Sequence, residues 1–143
     1  MSTGPELFNQ QHFIEQCLRS VAAQEGVRFR RVVVDDGSTD STAEVVRAFC
    51  DNDGRFSSIR QTNSGVARAR NAAIAALGDT VTHVCVLDGD DRLRPDALRR
   101  LADAADGLVG AHGLADFIDE AGDPFNVGVF SAGARCGGNL STL

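Results

Sequence analysis

Apolar residues fall into two rhythms along the chain. Phe13, Ile14, Cys17, Leu18 and Val21 recur at steps of three and four, which places them on one face of a helix from about Gln10 to Glu25. Gly26 is a stop signal for it. Val32-Val33-Val34 and Val84-Cys85-Val86-Leu87 are unbroken apolar runs, of a length suited to strands buried on both faces of a parallel sheet. Ser41 and Glu44 have capping-box spacing and open a helix through about Phe49. A short strand is expected around Phe56–Arg60, and an alanine-rich helix from Val66 to Leu77 that Gly78 ends. A strand over about Val81–Leu87 and a helix over about Pro95–Ala105 follow. Leu108-Val109, Ala115–Ile118 and Phe125–Phe130 read as short strands, with a turn at Glu120-Ala121-Gly122-Asp123 before the last. Helix and strand alternate, so the expected class is α/β, a mostly parallel sheet with helices on both faces. Residues 1–9 read as an irregular lead-in, 10–130 as one domain and 131–143 as a loose tail.

Both long apolar runs end in carboxylates. Asp35 and Asp36 follow the first; Asp88, Asp90 and Asp91 follow the second. Unpaired charge is costly to bury, so the strands should stop there, at the carboxyl edge where open α/β sheets bind ligands. Like charges this close repel, and a divalent cation relieves the repulsion. Carboxylate oxygens suit Mg²⁺ or Mn²⁺. Asp91 or Asp96 can instead cap the next helix, with Pro95 near its start. Capping needs one carboxylate, so Asp88 and Asp90 read as the metal pair. A third polar cluster runs from Asn63 to Asn71. Gly65 allows a backbone to approach a ligand closely, and the helix after it offers free N–H groups. Arg68 and Arg70 are two apart and point in different directions. At most one faces the crevice, and Arg68 reads as a surface arginine.

Composition narrows the chemistry. The chain has 143 residues, enough for one domain with a core. Its net charge of −6 argues against a general nucleic-acid surface. An anionic substrate then needs a local device such as a metal, an arginine or a helix N-terminus. All 14 basic residues are arginine, which leaves no lysine for a P-loop, a Schiff base or an aspartyl-phosphate site. A receiver-like or dehalogenase-like phosphotransfer domain therefore carries little weight. Cys17, Cys50, Cys85 and Cys136 form no metal or disulfide pattern, and Cys17 and Cys85 read as small core residues. With no apolar run of spanning length and no signal-peptide core, the expected location is cytoplasmic, compatible with a peripheral place at the inner face of a membrane. Oligomeric state stays open.

Val32–Asp40, Asn63-Ser64-Gly65 with Ala69-Arg70-Asn71, and Leu87–Asp91 with Pro95 resemble family 2 glycosyltransferases of the GT-A fold. Phe13–Val21 with Gln24 is similar to that family's first helix. The resemblance covers about Phe8 to Phe130. It implies a three-layer, Rossmann-like GT-A (nucleotide-diphospho-sugar transferase) fold, here truncated. It implies a nucleotide-sugar donor, a UDP-sugar by preference, and an acceptor hydroxyl on a glycan, lipid or small molecule. It further implies metal-assisted, inverting transfer with Mn²⁺ or Mg²⁺. By that likeness Asp36 contacts the nucleobase, and Asp35, Gly65, Arg70 and Asp88 belong to the nucleotide site. Asp88 and Asp90 form the DxD motif, with Asp90 the better metal ligand. The resemblance also implies a central first strand, which residues 1–9 do not supply beyond a stub at Glu6–Phe8, and a second half that would carry the catalytic base. No base is assigned; Asp119 and Glu120 fit a turn. The alternative is a remnant that binds nucleotide weakly or not at all.

Overall fold

A computed structural model describes residues 6–7, 10–113, 115–119 and 121–124. Glu120, Phe125–Phe130, the tail from Ser131 and most of the lead-in lie outside the described residues. The elements are β1 (Glu6–Leu7), α1 (Ile14–Ala22), β2 (Arg31–Asp35), α2 (Thr42–Asn52), β3 (Phe56–Arg60), α3 (Val66–Ala75) and α4 (Ala97–Ala104).

The three strands form one parallel sheet in the order β1-β2-β3. Arg31 to Asp35 of β2 pair with Phe56 to Arg60 of β3, whereas β1 pairs only through Glu6 with Val34 and Leu7 with Asp35. Successive side chains of β2 point to opposite faces, and that alternation builds the layers. Val33 packs with Ile14, Cys17, Leu18 and Val21 of α1 and Val46 of α2. Val32 and Val34 pack with Ala69 and Ala73 of α3 and with Leu77. Each such valine, fully buried, contributes about 1.5–3 kcal/mol. At the entry end of the sheet, the Phe56 ring meets Phe29 and Phe49 edge to face, at 6.1 and 5.0 Å between centroids.

Three expectations need correction. The 81–87 run is not a strand buried on both faces: it joins no ladder, and Val84 and Val86 are each 46% exposed while Leu87 is buried. A strand exists only through its neighbour, and among the described residues β1 reaches only two positions, both against β2. The Ser41–Glu44 capping box does not form. Asp40 takes the role instead, with Oδ1 accepting from Thr42 N at 3.0 Å and Oδ2 from Gln11 N at 3.2 Å. That leaves Thr42 Oγ1 to accept from Gln10 N, which ties the start of α1 to the start of α2. Leu108-Val109 is exposed and unpaired, and 115–118 contributes only an isolated antiparallel bridge, Ile118 to Pro124. No helix among the described residues is long and apolar enough to cross a membrane.

Candidate functional site

The carboxyl end of β2 delivers two carboxylates with different fates. Asp36 is fully buried and organises the loop after β3. Its Oδ1 accepts from Gln61 Nε2 at 2.7 Å, Ser64 N at 2.9 Å and Ser64 Oγ at 3.3 Å. Its Oδ2 accepts from Gly65 N at 2.8 Å and Ser64 N at 3.1 Å. Gln61 Nε2 also donates to Ser64 Oγ at 2.6 Å. Hydrogen bonds to a charged acceptor are about twice as strong as neutral ones, so this hub fixes the path of residues 61–65. Gly65 ends that path at φ 89°, ψ 159° and N-caps α3, a backbone state open in practice only to glycine.

Asp35 is nearly as buried, but incompletely satisfied. Oδ1 accepts from Ser38 N at 2.8 Å. Oδ2 lies 3.4 Å from Arg60 Nε and accepts no hydrogen bond among the described residues. Arg60 itself donates from Nη2 to Ser38 O. A buried acceptor left in this state is uncommon and suits a ligand donor.

The acidic loop approaches from the other side. Asp88 Oδ1 accepts from Arg70 Nη2 at 3.2 Å, so the first two turns of α3 connect Asp36, through Gly65, to Asp88. Arg70 is half-buried, and its Nε has no hydrogen-bond partner among the described residues. Arg68 is exposed. Asp88, Asp90 and Asp91 are all exposed at the loop. Partial desolvation by the surrounding chain pushes the Asp91 carboxyl above the ordinary aspartate value even though the residue reaches solvent, with repulsion from Asp90 and then Asp88 adding to it. The donor set is therefore hard oxygen under mutual repulsion, which fits Mg²⁺ or Mn²⁺ in chemistry. No three acidic, His or Cys side chains among the described residues converge on one metal position.

The loop is held from beneath by α1. Cys17 Sγ donates to Asp88 O at 3.4 Å, and Ser20 Oγ accepts from Leu93 N at 3.0 Å. Gln24 Nε2 donates to Arg94 O at 2.7 Å and to Ser20 O at 3.1 Å, while its Oε1 accepts from Leu98 N at 2.8 Å. Asp96 N-caps α4 by position but makes no side-chain cap bond, so Gln24, just past the end of α1, does that work. Asp119 is structural, its Oδ1 accepting from Asp123 N to close the turn. Sequence reasoning missed Gln61, Ser64 and Arg60 as partners of the paired aspartates. It quoted Ser20 and Gln24 only as motif letters. Their one signal is the polar spacing Cys17, Ser20, Gln24 beside an apolar helix face. A groove of about 460 Å³ between α1 and α2, lined in part by Arg19, Ala22, Val45 and Phe49, lies away from this crevice. Its charges pair among themselves, Glu15 with Arg19 and Asp53 with Arg55.

The family model of glycosyl transferase family 2 matches residues 7–126. The succinoglycan biosynthesis protein ExoO of Rhizobium meliloti is 40% identical over 112 residues, covering 78% of this chain and 31% of that protein. Staphylococcus aureus TarS 1–349 in complex with UDP-GlcNAc superposes with TM-score 0.66 at 29% identity, over 74% of this chain and 31% of that one. The mannosyltransferase PcManGT from Pyrobaculum calidifontis, in complex with GDP-Man and Mn²⁺, gives TM-score 0.57 at 27% identity, over 64% of this chain and 27% of that one. This chain thus spans 31%, 31% and 27% of the length of these three proteins, and the three-layer α/β arrangement is the GT-A fold of those transferases.

Proposed function

The chain belongs to glycosyl transferase family 2, and on that premise we propose that residues 10–130 form the donor-binding part of an enzyme transferring a sugar from a nucleotide-sugar to an acceptor hydroxyl. The observation that carries the reading is Arg70. It pairs with Asp88 through Nη2 and keeps a buried Nε without an acceptor, as a donor awaiting a phosphate or ribose oxygen would. Asp35 Oδ2 is the matching buried acceptor, suited to an N–H or hydroxyl of the ligand. Asp36 shapes the nucleobase end, both by its own charge and by the loop it holds. Gly65 lets the loop backbone come close to the nucleotide.

Asp90 and Asp88 would hold Mn²⁺ or Mg²⁺, whose role when bound is to stabilise the diphosphate as a leaving group. TarS with UDP-GlcNAc and PcManGT with GDP-Man and Mn²⁺ support a nucleotide-sugar and a divalent cation in this crevice; a UDP-sugar is our preferred donor. Inverting transfer, with an acceptor hydroxyl attacking the anomeric carbon, and a cytoplasmic setting complete the reading.

Calorimetric titration of the chain with UDP and Mn²⁺, beside an assay for UDP release from UDP-sugars, tests it. Mn²⁺-dependent UDP binding is expected. Absence of binding to UDP, GDP and their sugars, with either metal, overturns the donor-site reading. Binding without turnover assigns this chain the donor site alone.

A further inference from the structure

We propose that Gln24, assisted by Ser20 and Cys17, is the positioning residue of the acidic loop, and that α1 with the turn after it sets the loop's geometry from outside it. The inference rests on the donor-site reading for its functional consequence, and on hydrogen bonds alone for its structural part.

The span from Asp88 to Leu98 contains Asp88, Asp90 and Asp91, yet it closes on itself through few bonds: Asp91 N donates to Asp88 O and Ala97 N to Arg94 O. Among the described residues, its other backbone anchors come from α1 and the residues that follow it. Cys17 and Ser20 sit three apart on one side of α1, and Gln24 follows just past the helix end at Ala22. In order, they hold Asp88 O at the head of the loop, Leu93 N at its middle, and Arg94 O with Leu98 N at its foot. Glu25 N extends the set by donating to Pro95 O at 3.0 Å. Gln24 is the most committed member. It is only 6% exposed, and its amide uses the amino group for two carbonyls and the oxygen for one N–H. No simpler side chain does both. A leucine offers neither function. A glutamate retains the acceptor toward Leu98 N, where it also suits the positive end of α4, but it sets a negative oxygen against two carbonyls.

That asymmetry separates the loop tether from the helix cap. Gln24→Glu should keep Leu98 N protected from hydrogen exchange; by releasing Arg94 O and Ser20 O, the neighbours on either side of the Leu93 N to Ser20 Oγ bond, it should lower protection at Leu93 N. It should also weaken Mn²⁺-dependent UDP binding by about tenfold, the scale of losing an outer-shell partner of a metal ligand. Val46→Ala, a truncation in the core beneath α2, should lower the melting temperature and leave that binding unchanged, which marks the Gln24 effect as positioning. Unchanged Leu93 protection in Gln24→Glu overturns the tether. Unchanged UDP binding alongside lost protection overturns the functional consequence. If the parent itself shows no Mn²⁺-dependent binding, the donor-site reading fails, and exchange at Leu93 alone decides whether α1 positions the loop.

Discussion

Arg70 on α3 and Asp88 at the head of the acidic loop meet at 3.2 Å, across the edge of a sheet that does not reach the loop through any ladder. With residues 84–87 unpaired among the described residues, this contact is one of the few that register the loop against α3. The pair is 40% and 54% exposed in its two side chains, so it adds at most about 1 kcal/mol to stability.

Arg70→Ala should therefore shift the melting temperature little and raise the Kd for UDP with Mn²⁺ by about tenfold or more, since it removes a charge-assisted donor worth about 1.5–3 kcal/mol. Arg70→Lys should recover little of the affinity, because an ammonium cannot serve Asp88 and a second acceptor as a planar fork does. Calorimetric titration, paired with thermal melts of the same samples, checks both.

Asp36→Asn keeps one acceptor and turns an amino group toward donors that Asp36 now satisfies. A stability loss of about 1–3 kcal/mol is expected, measurable by urea denaturation. Uridine binding should weaken with it, while Mn²⁺ binding alone should persist. Equal loss of the two would place Asp36 in the metal site instead.

Two glycines should respond differently to the same change. A Cβ at Gly65 meets nothing within 4 Å, so Gly65→Ala carries only backbone strain, about 1–3 kcal/mol. At Gly37, φ is +84° and a Cβ would lie 3.1 Å from Asn63 N and 3.4 Å from Gln61 O. Gly37→Ala adds crowding to strain and should be the more destabilising of the two in chemical denaturation. The reverse order would mean that residues 61–63 give way more easily than the Asp36 hub implies.

Alkaline pH isolates the thiols, because the chain has neither lysine nor tyrosine. Burial pushes the Cys17 thiol up to about 11, against a partial offset from Arg31. An unfolded thiol loses its proton near 9, so between about 9 and 11 the folded state binds more protons and stability falls as pH rises. At 1.4 kcal/mol per pH unit, the Cys17 share is at most about 3 kcal/mol. Cys17→Ala should flatten the decline in urea midpoint over that window, after allowance for its lower starting stability. A parallel decline in both proteins would show that Cys17 is not the source.

The strands β2 and β3 were legible in the sequence because their determinants are local: a valine run in β2, and in β3 a short segment that carries Phe56 and Ile59 just after the turn residues Asp51-Asn52-Asp53-Gly54. Val84-Cys85-Val86-Leu87 is an unbroken apolar run like Val32-Val33-Val34 but does not share its fate, since pairing depends on what lies alongside, and a hydropathy pattern carries no such information. The paired aspartates were visible as a motif. Their division of labour was not, because Asp36 owes its environment to Gln61, Ser64 and Gly65, and Asp35 owes its own to Arg60. Gln24 shows the limit most clearly: its partners Arg94 and Leu98 lie 70 and 74 positions away, and nothing in a helical period points to them.

The Asp36 hub has a thermodynamic consequence. Fixing a residue's backbone costs about 1–2 kcal/mol in conformational entropy, and residues 61–65 have met that cost during folding. A ligand arriving at this loop orders little, so more of its contact energy should remain as affinity. Encounter should then be limited by diffusion and orientation rather than by loop closure, so the observed association rate should rise in proportion to ligand concentration without levelling off. Loosening the hub would convert the same crevice into one that must be assembled at each binding event, slower to fill even where its final contacts are unchanged.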